Sequence, residues 1–236
     1  KALSNSTSGW MVWRFSTSGQ LVTSFGSNGI VSKLSNQYDY SINALAIDPI
    51  NGRVLYGGWQ QDFSASPYRG FVGALKIVDG TQDASFNESG VVDYGTQLWS
   101  RVTSLIYQSD GTLLVAGTKV IETDRFGQPS IFGVGLSRLT STGAFDSSFA
   151  GGGITYVDNR YQLNGGALKM IIRSNRILIL STQLISDGEN LDQDITRTAF
   201  VQFLMNGTRD SSYGTNGIGG TSERHGRIVD FAVELF

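Results

Sequence analysis

Four connections in the sequence each carry an aromatic or imidazole ring, and charged side chains flank these rings. The rings are those of Tyr40, Trp99, Tyr161 and His225, and the charged neighbours are Asp39, Arg101, Asp158 and Arg160. Aromatic faces pack against sugar rings and apolar side chains, while flanking polar groups fix a ligand's orientation through hydrogen bonds. Gathered in one place, these residues would form a site for a sugar or a peptide. The alternative is that the rings simply pack the connections against the rest of the protein.

Other chemistry has weaker support in the sequence. The segment 187–194 carries several carboxylates, which calcium requires, but it lacks the ordered spacing of a calcium-binding loop, and a solvated acidic loop is the favoured interpretation. His225 is the only histidine, so a Ser/His/Asp triad would depend on it alone. Carboxylates such as Asp39 or Asp158 would suit a hydrolase or lyase acting on a polysaccharide. We therefore expect no enzyme activity, no resident metal and no cofactor, with calcium as the alternative.

Composition narrows the class of protein. The chain has 236 residues, a net charge of −2 and no run of Lys or Arg, which argues against binding to nucleic acid or to an anionic membrane surface. Cysteine is absent, so thiol catalysis, zinc-thiolate sites and disulfides are excluded. No apolar run reaches the roughly 18 residues of a membrane span, and no membrane insertion is expected. Five Lys against thirteen Arg, with abundant Ser, Thr, Asn and Gln, is typical of exported bacterial proteins.

One sequence pattern occurs four times and organises the whole chain. Each copy has a Gly, a Ser and an aromatic residue five and six positions later, a second Gly at the tenth position and Ile or Val at the eleventh. We call these copies the signature turns; they span Gly19 to Ile30, Gly80 to Val91, Gly143 to Ile154 and Gly207 to Ile218. Their aromatic residues are 61, 63 and 64 positions apart, which indicates an array of similar units. We expect the Gly to provide a positive-φ turn, the aromatic ring to fill the gap between neighbouring units and the Asp of the turn to bond nearby backbone.

Each unit reads as four short antiparallel strands. In the second hairpin, Val102 to Tyr107 and Thr112 to Gly117 flank Asp110-Gly111, a strong hairpin signal. A third strand, Phe132 to Leu139 in that unit, leads through a signature turn into a fourth, and no segment has sustained helical periodicity. A lone four-stranded sheet cannot bury both faces, so the units should stack around an axis as the blades of an all-β propeller. The predicted single domain has units at about 1–40, 41–100, 101–164 and 165–225, with 226–236 completing a blade with the N-terminus.

These residues resemble the bacterial delta-60 repeat family. The clearest matches are Gly80-Thr81-Gln82-Asp83-Ala84-Ser85-Phe86 and Asp110-Gly111-Thr112-Leu113-Leu114-Val115-Ala116-Gly117. The resemblance covers essentially the whole chain, with mild departures: Val22 replaces the Asp of the first copy, and Ser174-Asn175 replaces an Asp-Gly turn. It implies a propeller in an exported or surface-associated bacterial protein. It implies no reaction and no catalytic residues.

The two faces of such a propeller differ in their connections. Connections from the second to the third strand, and from the fourth strand to the next unit, lie on one face, which we call the long-loop face; they include 59–69, 118–130 and 182–196. The opposite face, the turn face, has compact turns such as Ser109-Asp110-Gly111. Long connections on one face usually carry function, and the four rings lie in connections of that face. We therefore expect a recognition domain, adhesin-like, that binds a glycan or protein on another cell through this face, with a purely structural spacer as an alternative.

The ends of the chain leave ring closure open. Lys1 to Ser4 resembles the end of a second strand and Arg227 to Phe236 reads as a first strand, so the two ends read as halves of one hairpin. Three arrangements fit: a closed four-bladed ring, a slice of a larger propeller within a longer surface protein, or an oligomer that supplies the missing strand. Self-association or a larger parent chain is therefore expected beside the external ligand, and the expected location is extracellular or on the outer cell surface.

Overall fold

The protein is all-β and is built from antiparallel sheets that follow one another along the chain. A computed structural model describes residues 7–63, 68–95, 100–123, 125, 129–157, 166–185 and 195–220. The first sheet pairs β1 (Ser8–Trp13) with β2 (Ile30–Ser35). The second contains β3 (Tyr38–Asp48), β4 (Arg53–Asp62), β5 (Arg69–Lys76) and β6 (Val91–Asp93), with one helical turn, α1 (Asn87–Gly90), before β6.

The third and fourth sheets repeat the same up-and-down order. The third contains β7 (Arg101–Tyr107), β8 (Leu113–Thr123), β9 (Pro129–Leu139) and β10 (Ile154–Val157). The fourth contains β11 (Lys169–Arg173), β12 (Arg176–Ile185), β13 (Ile195–Leu204) and β14 (Ile218–Gly220). Every pair of neighbouring strands is antiparallel. The prediction of an all-β protein with four-stranded antiparallel sheets is confirmed, and no helix in the described residues is long and apolar enough to span a membrane.

Some strands are longer than the sequence predicted. The connection predicted to start at residue 59 starts later in the structure, because β4 continues to Asp62 and pairs with β3 over that extension. In the third sheet, β8 continues to Thr123 and pairs with β9 as far as Pro129. Much of the predicted long connections at 59–69 and 118–130 is therefore β-hairpin that projects from the long-loop face, because cross-strand bonds continue beyond the apolar core.

The core lies between successive sheets. Phe25 of the first sheet joins Val54, Tyr56 and Leu75 of the second in one buried cluster. A second cluster joins Phe86 to strands of the third sheet, and a third joins Phe149 to strands of the fourth. The second and third sheets thus each bury one face against the sheet before them and the other against the sheet after them, in the order of the chain.

The signature turns form the contacts between sheets. The rings of Phe25, Phe86 and Phe149 are 0%, 1% and 0% exposed. Each ring packs on the first Gly of the next signature turn, so a Cβ on Gly80, Gly143 or Gly207 would lie within about 3 Å of the ring (3.2, 3.2 and 2.7 Å). The φ angles of these glycines are +73°, +80° and +85°. These contacts agree with the turn and packing roles expected of the Gly and the aromatic residue.

A carboxylate organises three of the turns; it is buried in two of them and half-buried at Asp146. Asp83, Asp146 and Asp210 each accept a hydrogen bond from the backbone N–H of the Ser two residues later (3.1, 3.0 and 3.2 Å). Each also pairs with an arginine: Arg53, Arg138 and Arg176 donate from Nε to the carboxylate at 2.5, 2.7 and 2.9 Å. The hydroxyl of the same serine also donates to the carboxylate, from Ser148 to Asp146 and from Ser212 to Asp210, each at 2.6 Å. These hydroxyl bonds are the largest cause that lowers the pKa of Asp146 and of Asp210. These ionised carboxylates hold the turns in the shape that the sheet contacts require.

Candidate functional site

A cavity of about 280 Å³ opens on the long-loop face, where the first strands of three successive sheets begin. We call it the Arg101 cavity. Its lining comes from β3, β4, β7, β8 and β9, and from residues 166–168 just before β11. The lining residues are Asn43, Trp59, Arg101, Thr103, Thr118, Phe132, Gly166, Ala167 and Leu168.

Arg101 is held against two aromatic rings at this cavity. The guanidinium carbon of Arg101 lies 4.4 Å from the ring centroid of Tyr68 and 5.6 Å from that of Trp59. The two rings meet edge to face, with centroids 4.9 Å apart and an interplanar angle of 87°. Cation–π contacts of this kind contribute about 0.5–1 kcal/mol each at exposed sites. The side chain of Arg101 is exposed, so its planar donor fork is oriented by the rings and open to solvent.

Two β-bulges place polar side chains in the cavity. Asn43 is the extra residue between Ile42 and Ala44, where the register of β3 with β4 shifts. Thr103 has the same position in β7, between Val102 and Ser104. A bulge turns a strand residue away from the regular alternation and is common beside functional sites. Here it directs an amide and a hydroxyl into the same cavity from neighbouring sheets.

Hydrogen bonds fix the orientation of these polar groups. The Nδ2 of Asn43 donates to the carbonyl of Val102 at 3.0 Å, and Ser41 Oγ donates to Asn43 Oδ1 at 2.9 Å. Thr103 Oγ1 donates to the carbonyl of Ala116 at 3.3 Å. The amide of Asn43 therefore bridges β3 and β7, the two strands that flank the cavity. A site held in this way needs little rearrangement when a ligand binds.

The size and lining of the cavity suit part of a larger ligand. Ligand pockets range upward from about 300 Å³, so this cavity fits one sugar residue or one side chain rather than a large cofactor. Trp59 and Phe132 offer apolar surface, Asn43 and Thr103 offer hydrogen-bonding atoms, and Arg101 offers a cation. This combination matches a polar ligand that has an apolar face and an anionic or carbonyl group.

The predicted site residues occupy different environments. Arg101 lines the cavity. Tyr40, by contrast, is 8% exposed and belongs to the core between the first and second sheets, with Lys33 Nζ 4.9 Å from its ring centroid. Asp39 accepts a hydrogen bond from Ser8 Oγ, at the edge where the first sheet meets β3. The expected cluster is thus not assembled from these three residues, because β3 alternates and turns Tyr40 inward.

The remaining predicted site residues, Trp99, Asp158, Arg160, Tyr161 and His225, lie outside the described residues, as do the acidic segment 187–194 and both end segments, 1–4 and 227–236. Within the described ranges, no group of three or more His, Asp or Glu side chains is arranged to hold a metal ion.

Sequence reasoning had not singled out Asn43, Trp59, Tyr68 or Thr103. A signal for two of them was present: Asn43 and Thr103 are 60 residues apart, close to the 61-residue spacing of the signature aromatic residues Phe25 and Phe86. Each is a polar residue that interrupts an otherwise apolar alternation. The pairing of Trp59 with Tyr68 depends on the extended hairpin of β4 and β5, which the sequence did not predict.

No protein-family model matches the chain, and no curated protein matches it.

Proposed function

We propose that this chain is a β-propeller recognition domain, exported and associated with the cell surface, that binds a glycan or protein ligand through its long-loop face. The observation that carries the proposal is the Arg101 cavity, where a guanidinium held by two aromatic rings meets an amide and a hydroxyl fixed by β-bulges. The propeller assignment is supported by the stacking of successive antiparallel sheets, three of which have four strands, through one repeated contact. The delta-60 resemblance agrees with this fold and setting.

Recognition fits the chemistry of the cavity better than turnover does. The described lining offers stacking surfaces, a hydrogen-bonding amide, hydroxyls and one cation, which together orient a ligand. Hydrolysis or elimination at a sugar needs a positioned acid and base, commonly a pair of carboxylates. Of the two carboxylates considered for that role, Asp39 bonds Ser8 away from the cavity lining, and Asp158 lies outside the described residues. The geometry therefore favours binding of an intact ligand.

The test is a binding screen with a matched pair of arginine variants. Arrays of glycans with and without carboxylate groups, and of acidic and neutral peptides, are probed with the protein, with Arg101→Ala and with Arg173→Ala. Arg173 is an exposed arginine at the end of β11 on the turn face, so its variant makes the same change in charge. A charge-assisted hydrogen bond contributes about 1.5–3 kcal/mol, so Arg101→Ala should weaken binding of the best ligand roughly tenfold to hundredfold.

Thermal unfolding of both variants serves as the control for folding: both should unfold cooperatively, and the Tm of Arg101→Ala should fall by only a few degrees, because its two cation–π contacts are lost. Binding that is unchanged in Arg101→Ala, or lost equally in Arg173→Ala, would contradict the assignment of the ligand to the long-loop face.

A further inference from the structure

The first and last sheets present complementary, uncovered halves of the contact that joins the sheets inside the chain. That contact occurs three times with the same parts. The N–H of the residue after the signature aromatic donates to the carbonyl before the first Gly of the next signature turn: Gly26 to Asp79 at 2.7 Å, Asn87 to Thr142 at 2.7 Å and Ala150 to Asn206 at 2.8 Å. The aromatic ring covers that Gly, as described above, and Gly80, Gly143 and Gly207 are buried.

One half of the contact is uncovered on the fourth sheet. Tyr213 has the signature aromatic position, yet it is only partly buried, unlike its three counterparts. Gly214 follows it and is exposed, and its N–H makes no backbone hydrogen bond within the described part of the chain. We call this surface, formed by Tyr213, Gly214 and Arg176, the ring end.

Arg176 marks the same surface. The Nη1 of Arg53 donates to the carbonyl of Ser141 in the following sheet, and the Nη1 of Arg138 donates to that of Met205. Arg176 instead donates from Nη1 to Asn175 in its own turn, and its side chain is 41% exposed, against 6% for Arg53 and 15% for Arg138. Among the described residues, Arg176 therefore makes no inter-sheet bond like those of Arg53 and Arg138.

The other half is uncovered on the first sheet. Gly19 has the first Gly position of a signature turn, with φ of +78°, but it is exposed and no atom lies within 4 Å of a Cβ built on it. Phe15 lies just before the turn, where it forms an isolated antiparallel β-bridge with Leu21, and it is 59% exposed. Leu139 and Phe203 form the equivalent bridges in the third and fourth sheets, and each is 0% exposed. We call this surface, formed by Phe15, Gly19 and the neighbouring Trp13 and Leu21, the glycine end; it also exposes large parts of Trp13 and Leu21.

We propose that the ring end of one copy of this chain docks on the glycine end of a second copy. The ring of Tyr213 covers Gly19, the N–H of Gly214 donates to the carbonyl of Ser18, and Arg176 reaches the carbonyl of Thr17. Among the described residues, nothing packs on either surface in the way that the internal contacts do. Such a contact joins different surfaces of each copy, and it produces rings or filaments according to the rotation between copies.

The parts of this contact predict which side chains it tolerates. Phe is present at the ring position in the other three turns, so Tyr213→Phe keeps the association. Gly19→Asn keeps the positive φ, which Asn tolerates, but fills the space that the ring needs. Phe15→Ser removes apolar surface that is exposed in the single chain and should leave folding unchanged.

The experiment is a complementation test by sedimentation velocity, over an approximately hundredfold range of protein concentration. The parent protein and Tyr213→Phe should form species larger than a monomer as concentration rises. Gly19→Asn and Phe15→Ser lack a working glycine end, Tyr213→Ala lacks a working ring end, and each alone should remain a monomer. An equimolar mixture of Gly19→Asn with Tyr213→Ala should form a dimer and nothing larger, because one intact surface of each kind is left.

Far-UV circular dichroism checks that each variant is folded, and Phe15→Ser replaces Gly19→Asn should the latter unfold. A parent protein that stays monomeric throughout, including one that closes on itself, overturns the proposal. So does a mixture that fails to dimerise, or a folded single variant that assembles as the parent does.

Discussion

Substituting two glycines that share a positive φ separates two contributions to the free energy of unfolding. One is the backbone strain of a side chain at positive φ, and the other is the steric cost of a Cβ in the contact between two sheets. Gly207 and Gly19 have φ of +85° and +78°, so replacing either with Ala carries a similar backbone penalty, about 1 kcal/mol or slightly more. The surroundings differ. A Cβ at Gly207 lies 2.7 Å from Phe149, which is fully buried, while a Cβ at Gly19 has no neighbour within 4 Å.

The difference between the two variants measures the packing of the ring on the glycine. Overpacking a rigid core site costs about 1–3 kcal/mol. Gly207→Ala should therefore lower the free energy of unfolding by about 2–4 kcal/mol, and Gly19→Ala by about 1 kcal/mol. The assay is urea unfolding monitored by tryptophan fluorescence and by circular dichroism, at a protein concentration where the parent is monomeric.

Equal losses in the two variants would refute the reasoning, since the ring contact would then contribute nothing beyond backbone strain. A larger loss in Gly19→Ala would refute it more strongly. A matching control is Phe149→Leu, which removes the ring that the Cβ of Gly207→Ala would contact. In the Phe149→Leu background, Gly207→Ala should lower the free energy of unfolding by less than it does in the parent.

Three further predictions concern single side chains in the turns and the core. The hydrogen bond from the Ser148 hydroxyl is the main cause that lowers the folded pKa of Asp146. Asp146 therefore contributes stability that is present above about pH 4 and is lost as pH falls through the folded pKa. Between pH 7 and pH 3, the free energy of unfolding of Asp146→Asn should fall by less than that of the parent. Burial raises the pKa of Tyr56 to about 12, so about 3 kcal/mol of stability is lost between pH 10 and 12, and Tyr56→Phe should resist alkaline unfolding better than the parent; equal alkaline sensitivity would contradict this. Phe86→Ala should cost about 3–5 kcal/mol in urea unfolding because its ring is 1% exposed, and a loss under 1 kcal/mol would contradict its place in the core.

Much of the scaffold follows from the sequence because its signals are local. Asp110-Gly111 between two apolar runs forms the turn of the β7–β8 hairpin, and the spacing within each signature turn places an aromatic ring and a glycine on opposite sides of the same turn. Phe25, Phe86 and Phe149 then occupy equivalent surroundings, since repeated residues in repeated units face the same neighbours.

The site was less predictable because it depends on register and on contacts between units. A bulge shifts the alternation of a strand by one residue, so Asn43 points into the cavity although the simple alternation of β3 would not place it there. Tyr40 was expected in a ligand site, but it lies in the core, because the regular alternation of β3 turns its side chain inward. The pairing of Arg101 with Tyr68 joins the start of β7 to a residue in the connection predicted at 59–69 of the preceding unit, which no pattern within one unit reveals.

The most direct test of the recognition site is a crystal structure of the protein with the strongest ligand found on the arrays. The account predicts that the ligand occupies the Arg101 cavity, with an anionic or carbonyl oxygen within hydrogen-bonding distance of Arg101 and an apolar face against Trp59. A ligand bound on the turn face, or one that leaves the Arg101 cavity empty, would contradict the account.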